Sequence, residues 1–140
     1  MTAFSRAAMI DRTERSPATF DTRWLPPATA VITVHGEIDA ANASGFTEYA
    51  MCHTAQANGL VLDLSGVAFF GTAGFSALKA VETRCSVGKV DWMLVPSDAV
   101  TRLLHICDPD SKLRHSSTVA AALTALRNES QLLQLVTKPR

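Results

Sequence analysis

A chain of 140 residues, 47% of them apolar and 19% charged, can pack one core but is too short for two enzyme-sized domains. Thirteen basic residues balance thirteen acidic ones, so no positive excess condenses on a phosphate backbone or anionic lipid, which argues against non-specific nucleic-acid binding. Cys52, Cys85 and Cys107 form neither a disulfide framework nor a zinc pattern. Without a secretory leader or a run of about 18 apolar residues, the expectation is a cytosolic domain with no membrane span.

Residues 1–18 mix charge, Ser, Thr and one proline without a sustained period, the pattern of a mobile N-terminal arm. Residues 20–25 have strand length and stop at Pro26-Pro27, because proline brings no N–H to a ladder and restrains the residue before it. TAVITV over 29–34 is β-branched and bounded by Gly36, as in a buried strand. Over residues 42–56, Phe46, Tyr49, Ala50 and His53 make a helical stripe that Ala57 continues, with Asn42 as N-cap and Asn58-Gly59 as the stop.

LVLDL over 60–64 is the next strand, and Ser65-Gly66 loosens the chain after it. Past Phe69 and Phe70, the turn Gly71-Thr72-Ala73-Gly74 opens a helix with Phe75, Leu78, Val81, Glu82 and Cys85 on its period until Gly88. VDWMLV over 90–95 is a strand stopped by Pro96, and residues 99–106 form a short helix that halts near Asp108-Pro109. A final helix over 118–127, capped by Ser117 or Thr118, aligns Val119, Ala122, Leu123 and Leu126. The domain thus spans 19–128, with a C-terminal tail over 129–140.

Alternating strands and helices define an α/β domain with a mainly parallel sheet. Such sheets take partners and ligands outside the carboxyl ends of their strands, here residues 36–42, 65–75 and 96–98.

The turn at Thr72 carries the most chemistry. A hydroxyl at a helix start meets unpaired N–H groups and the positive end of the dipole, so Thr72 is placed to cap and, equally, to bear a phosphate whose charge the helix tolerates and whose bulk blocks docking. Phosphate-loop and dinucleotide glycine patterns are absent. Asp63 and Ser65 sit near a strand end, where a carboxylate most simply accepts from loop N–H groups. His35, His53, His105 and His115 are scattered, without metal-ligand spacing, and His53 reads as a partly buried packing residue. Of Phe69, Phe70 and Phe75, alternation leaves room for one to be exposed as a partner anchor.

Three stretches now carry a resemblance: VITVHGEID (31–39), GLVLDLSGVAFFGTAG (59–74) and VDWMLVPSDAVTRLL (90–104). Over residues 20–127 their order resembles the STAS domain family, and within it the bacterial anti-sigma factor antagonists. VITVHGEID is similar to that family's opening strand and G-E-[IL]-D turn, and GTAG to its regulatory turn, usually D-S-[ST]-G. The resemblance implies a four- or five-stranded sheet with about four helices, no catalysis and no cofactor of the domain's own, and reversible docking onto an anti-sigma factor with serine/threonine kinase activity. Docking frees a sigma factor for transcription, and phosphorylation of the turn hydroxyl cancels it. Carried onto this chain, Thr72 takes the phosphoacceptor position, with Gly71 where the family has Asp, Ala73 where it has a second hydroxyl, and Gly74 matching. The implied partner surface is Asp39, Ser65, Phe70, Gly71, Thr72, Ala73, Gly74 and Phe75.

Two rivals make different demands. A ligand- or lipid-handling accessory domain of a transport complex needs an apolar cavity of several hundred Å³ near the strand ends. A small hydrolase needs a Cys or Ser within hydrogen-bond reach of an oriented His.

Overall fold

We describe a computed structural model that covers residues 18–137, with side chains through residue 128. Apart from Ala18, the arm expected at the N-terminus lies outside the described residues.

Strands β1 (Thr19–Leu25) and β2 (Thr29–Ile38) form an antiparallel hairpin in which Leu25 faces Thr29 across a turn holding a cis Pro26-Pro27 bond. Helix α1 (Ala43–Thr54) leads to β3 (Gly59–Phe70), and α2 (Thr72–Gly88) leads to β4 (Asp91–Pro96). Then follow α3 (Asp98–Cys107) and α4 (Val119–Thr137). The sheet order is β1-β2-β3-β4, with β3 parallel to both β2 and β4. The sheet is therefore mixed and mostly parallel, the four-stranded case of the α/β architecture expected.

Period-two alternation sorts the strand residues onto two covered faces. Ala30, Ile32, Val34, Leu60, Leu62, Leu64, Trp92 and Leu94 pack with Phe46, Ala50, Leu78, Val81, Val100 and Leu104 from α1, α2 and α3. Val31, Val61, Met93 and Val95 point the other way, onto Ala122 and Leu126 of α4. Burial on both sides explains why the central strands are nearly continuous apolar runs rather than alternating ones. Each aliphatic side chain so buried contributes roughly 1.5–3 kcal/mol of transfer free energy.

Four local features differ from expectation. β3 does not stop at Leu64, because its ladder with β2 resumes past register shifts that place His35 opposite Gly66 and Glu37 opposite Phe69. Such irregularities absorb the extra residues while the strand continues. The first helix buries Thr54, a residue outside the stripe read from sequence, along with Phe46 and Ala50, while His53 is partly buried as expected, against Tyr49 with ring centroids 4.4 Å apart. The left-handed residue ending α2 is Lys89, with φ 58°, one position beyond the glycine expected to end the helix. Finally, α4 continues past Arg127 to Thr137, so the expected tail is helical along most of its length. Thr118 caps that helix, its Oγ1 accepting from the Ala121 N–H at 3.0 Å.

Candidate functional site

β2 and β3 leave the sheet side by side. Ile38 pairs with Phe70, and the Gly71 N–H donates to the Ile38 carbonyl at 3.0 Å. The segment beginning at Asp39 and the turn beginning at Gly71 are thereby fastened together, as the strand-end rule anticipates for residues 36–42 and 65–75. The third expected segment, 96–98, is set apart: β4 ends with Pro96 opposite Leu64, six positions short of Phe70, or roughly 20 Å of extended strand.

Asp39 begins a hydrogen-bonded turn. Its N–H donates to Asn42 Oδ1 at 2.9 Å, its Oδ1 accepts from the Ala41 N–H at 3.0 Å, and Asn42 Nδ2 donates to the Glu37 carbonyl at 2.8 Å. Asn42 does occupy the N-cap position of α1, but its side chain is spent holding this turn and makes no cap hydrogen bond. Asn side chains can bond backward to turn backbone as well as cap forward.

At the neighbouring corner, Gly71 is extended (φ −90°, ψ 178°) and is itself the N-cap of α2, so Thr72 is the first helical residue. No side chain caps this helix. The expected capping role of Thr72 therefore gives way to an exposed hydroxyl. The Gly74 N–H is satisfied by the Gly71 carbonyl at 2.9 Å, and no acidic residue lies in the first turn. With the remaining N–H groups of that turn and the helix dipole nearby, an anionic group on Thr72 meets favourable electrostatics.

The phenylalanines divide cleanly. Phe70 is 4% exposed and points into the core, Phe75 is half-buried against it, and Phe69 is 46% exposed. The Phe69 ring flanks the Gly71 backbone, since a Cβ on Gly71 would lie 3.4 Å from Phe69 Cε2. Phe70 and the buried Gly74 thus support the corner from beneath, while Phe69, Thr72 and the half-buried Gly71 and Ala73 form its outer surface. Sequence alternation flagged one exposed ring without choosing it; the register shift before Glu37 decides. Ser65 is exposed on β3, five residues before Phe70, with its Oγ donating to Asp63 Oδ1 at 2.6 Å and its N–H donating to the same oxygen at 3.1 Å. Asp63 is an acceptor for the local chain, as read from sequence.

The rival chemistries find little support. His53 Nδ1 contacts the Tyr49 carbonyl and His115 Nδ1 the Leu113 carbonyl, and among the described residues no histidine is hydrogen-bonded to Ser or Cys. No group of three metal-ligating side chains occurs among those residues. Cys85 is buried and its thiol is pushed up to about 11 by burial, away from reactivity, whereas Cys52 is exposed. A cavity of about 240 Å³ lies at the amino ends of the strands, between Pro26, Pro27, Asn58 and Asp91 and the α4 residues Leu123, Leu126 and Arg127. That is the opposite end of the sheet from Thr72. Among the described residues, no helix is long and apolar enough to cross a membrane.

Known proteins share this arrangement. The family model described as "STAS domain" matches residues 25–122. Osmosensory protein A of Mycobacterium tuberculosis is 38% identical over 81 residues, 58% of this chain and 51% of that protein, so the chain spans about half of that relative's length. The anti-sigma-F factor antagonist RsfA of the same species is 33% identical over 102 residues, covering 70% of this chain and 80% of RsfA. The crystal structure of an anti-sigma factor antagonist from Mycobacterium paratuberculosis aligns with a TM-score of 0.72 at 27% identity, over 79% of this chain and 95% of that one. The four-stranded sheet with its helix-borne corner is a STAS domain, a regulatory rather than catalytic class. Within that class, the chain belongs to the anti-sigma factor antagonist family.

Proposed function

We propose that the chain is a phosphorylation-switched protein-binding module. It docks the corner formed by Phe69, Gly71, Thr72 and Ala73, with the Asp39 turn beside it, onto an anti-sigma factor that has serine/threonine kinase activity. The observation that carries this is the exposed Thr72 hydroxyl at the first helical position of α2, free of any capping role and flanked by an exposed aromatic ring. The names of the similar RsfA and of the Mycobacterium paratuberculosis antagonist supply the partner class.

A phosphate on Thr72 adds about −1.5 to −2 charges and three acceptor oxygens. The helix start tolerates the charge, so the domain stays folded, while the corner can no longer approach a complementary surface closely. Docking then frees a sigma factor, and modification reverses it. Gly71 brings no carboxylate of its own to the hydroxyl, so the helix N–H groups and the adjoining Asp39 turn are the polar features a kinase meets there.

The test is calorimetric titration of the chain with the anti-sigma factor encoded by the same organism, with and without ATP and Mg²⁺. Thr72→Ala is expected to bind as the parent does and to gain no phosphate. Thr72→Glu is expected to bind at least about tenfold more weakly, the result of bulk and charge placed in a dry contact. Equal affinity for parent and Thr72→Glu would remove Thr72 from the interface.

A further inference from the structure

We propose that a second copy of this chain pairs along the free edge of β1, joining two four-stranded sheets into one of eight. β1 is the terminal strand of the sheet, and its outer side has no partner strand among the described residues. Its sequence, TFDTRWL, is self-complementary when run antiparallel against itself.

With a two-fold axis through Thr22, Asp21 faces the partner copy's arginine at position 23, Arg23 faces that copy's Asp at position 21, and Phe20 faces its Trp at position 24. An antiparallel ladder requires outward-pointing N–H and C=O groups to meet one another, so only registers centred on a residue are allowed. Moving the axis to Asp21 sets two carboxylates directly opposite, and moving it to Arg23 sets two guanidinium groups opposite. Like charges across a pair oppose association, whereas opposite charges and aromatic pairs favour it. The charge pattern therefore disfavours both neighbouring registers, and axes through Phe20 or Trp24 would leave Asp21 and Arg23 without opposite-charge partners.

The side chains are available for it. Asp21 and Arg23 are both exposed and have no ion-pair partner among the described residues. Trp24 is 44% exposed, an unusual expanse of aromatic surface for an edge that meets only water. Phe20 and Thr22 share its face. The Phe20 ring lies 5.1 Å from Tyr49 and 6.1 Å from Phe46 by centroid, and Thr22 Oγ1 is 2.7 Å from Tyr49 Oη, so the tryptophan from the second copy meets an aromatic cluster already in place.

Assembly closes at two copies. The outer side of β4 is partly occupied by the chain's own residues 114–116: the Leu94 N–H donates to the Arg114 carbonyl at 3.0 Å and the Ser116 N–H to the Leu94 carbonyl at 2.8 Å. Seven residues of edge make a small interface, so the dimer is concentration-dependent rather than obligate.

Sedimentation equilibrium of the full chain tests this, with circular dichroism to verify folding of each variant. The parent is expected to dimerise as concentration rises to about 1 mM. Asp21→Arg alone and Arg23→Asp alone each turn both cross-strand pairs into like charges and are expected to raise the dissociation constant about tenfold or more. The double exchange, Asp21→Arg with Arg23→Asp, restores opposite charges and is expected to restore the dimer. A parent that stays monomeric throughout, single variants that dimerise like the parent, or a folded double exchange that fails to recover would each overturn the proposal.

Discussion

Gly74 lies against the face of Phe70: a Cβ at position 74 would come within 2.6 Å of the ring's Cε1 and 2.7 Å of Cζ. The ring is core-packed and cannot swing aside, so the absence of a side chain at Gly74 sets how closely α2 approaches the end of β3. Gly74→Ala is expected to destabilise the fold by about 1–3 kcal/mol, as overpacking does, and to displace the corner bearing Thr72. Urea unfolding measures the first effect and partner titration the second.

Gly66 offers a contrast. A Cβ there would fall on the His35 ring, but His35 is exposed and its imidazole ends a side chain free to rotate. Gly66→Ala is expected to cost less than about 1 kcal/mol despite the shorter nominal approach, because the neighbour can yield. A loss as large as that of Gly74→Ala in the same unfolding experiment would show that His35 is held in place.

Lys89 ends α2 in the left-handed region at φ 58°, where a Cβ is disfavoured. Lys89→Gly is expected to raise stability by about 0.5–1 kcal/mol, with the Val90 N–H bond to the Cys85 carbonyl at 2.8 Å retained. Thermal unfolding checks it.

Ser97 caps α3, its Oγ accepting from the Val100 N–H at 3.2 Å. Ser97→Ala is expected to cost about 1 kcal/mol in urea unfolding while leaving partner affinity unchanged, since α3 begins at the level of Leu64 rather than at the corner.

Burial raises the Cys85 thiol from 9.0 to about 11. Between these values the unfolded chain gives up a proton that the folded chain retains, so unfolding becomes easier as pH rises. The contribution is fully present below pH 9.0 and is lost as pH climbs towards about 11. Cys85→Ala is expected to flatten the decline in stability over that window. Alkylation at neutral pH is expected to label Cys52 in the folded chain and Cys85 only after unfolding.

Much of the architecture was legible because long buried strands and helical stripes leave strong periodic marks, as in the alternation of Trp92 and Leu94 against Met93 and Val95. What escaped were competitions settled at longer range. Ser65-Gly66 has the chemistry of a break, yet pairing with β2 carries the strand through it. Asn42 and Thr72 both carry capping chemistry, but one is engaged by the preceding turn and the other sits one position inside a helix whose N-cap is Gly71. The segment around Asp39 and the Thr72 corner were each visible in sequence; their fastening through the Gly71 to Ile38 hydrogen bond required the register.

Because β3 outruns β4 by six positions, its final stretch is laddered to β2 alone. The Thr72 hydroxyl is therefore carried on a cantilever, clear of the sheet's fourth strand. A partner docked there as proposed stays clear of the opposite end of the sheet, where Arg127 and Asp91 line the cleft beside the hairpin.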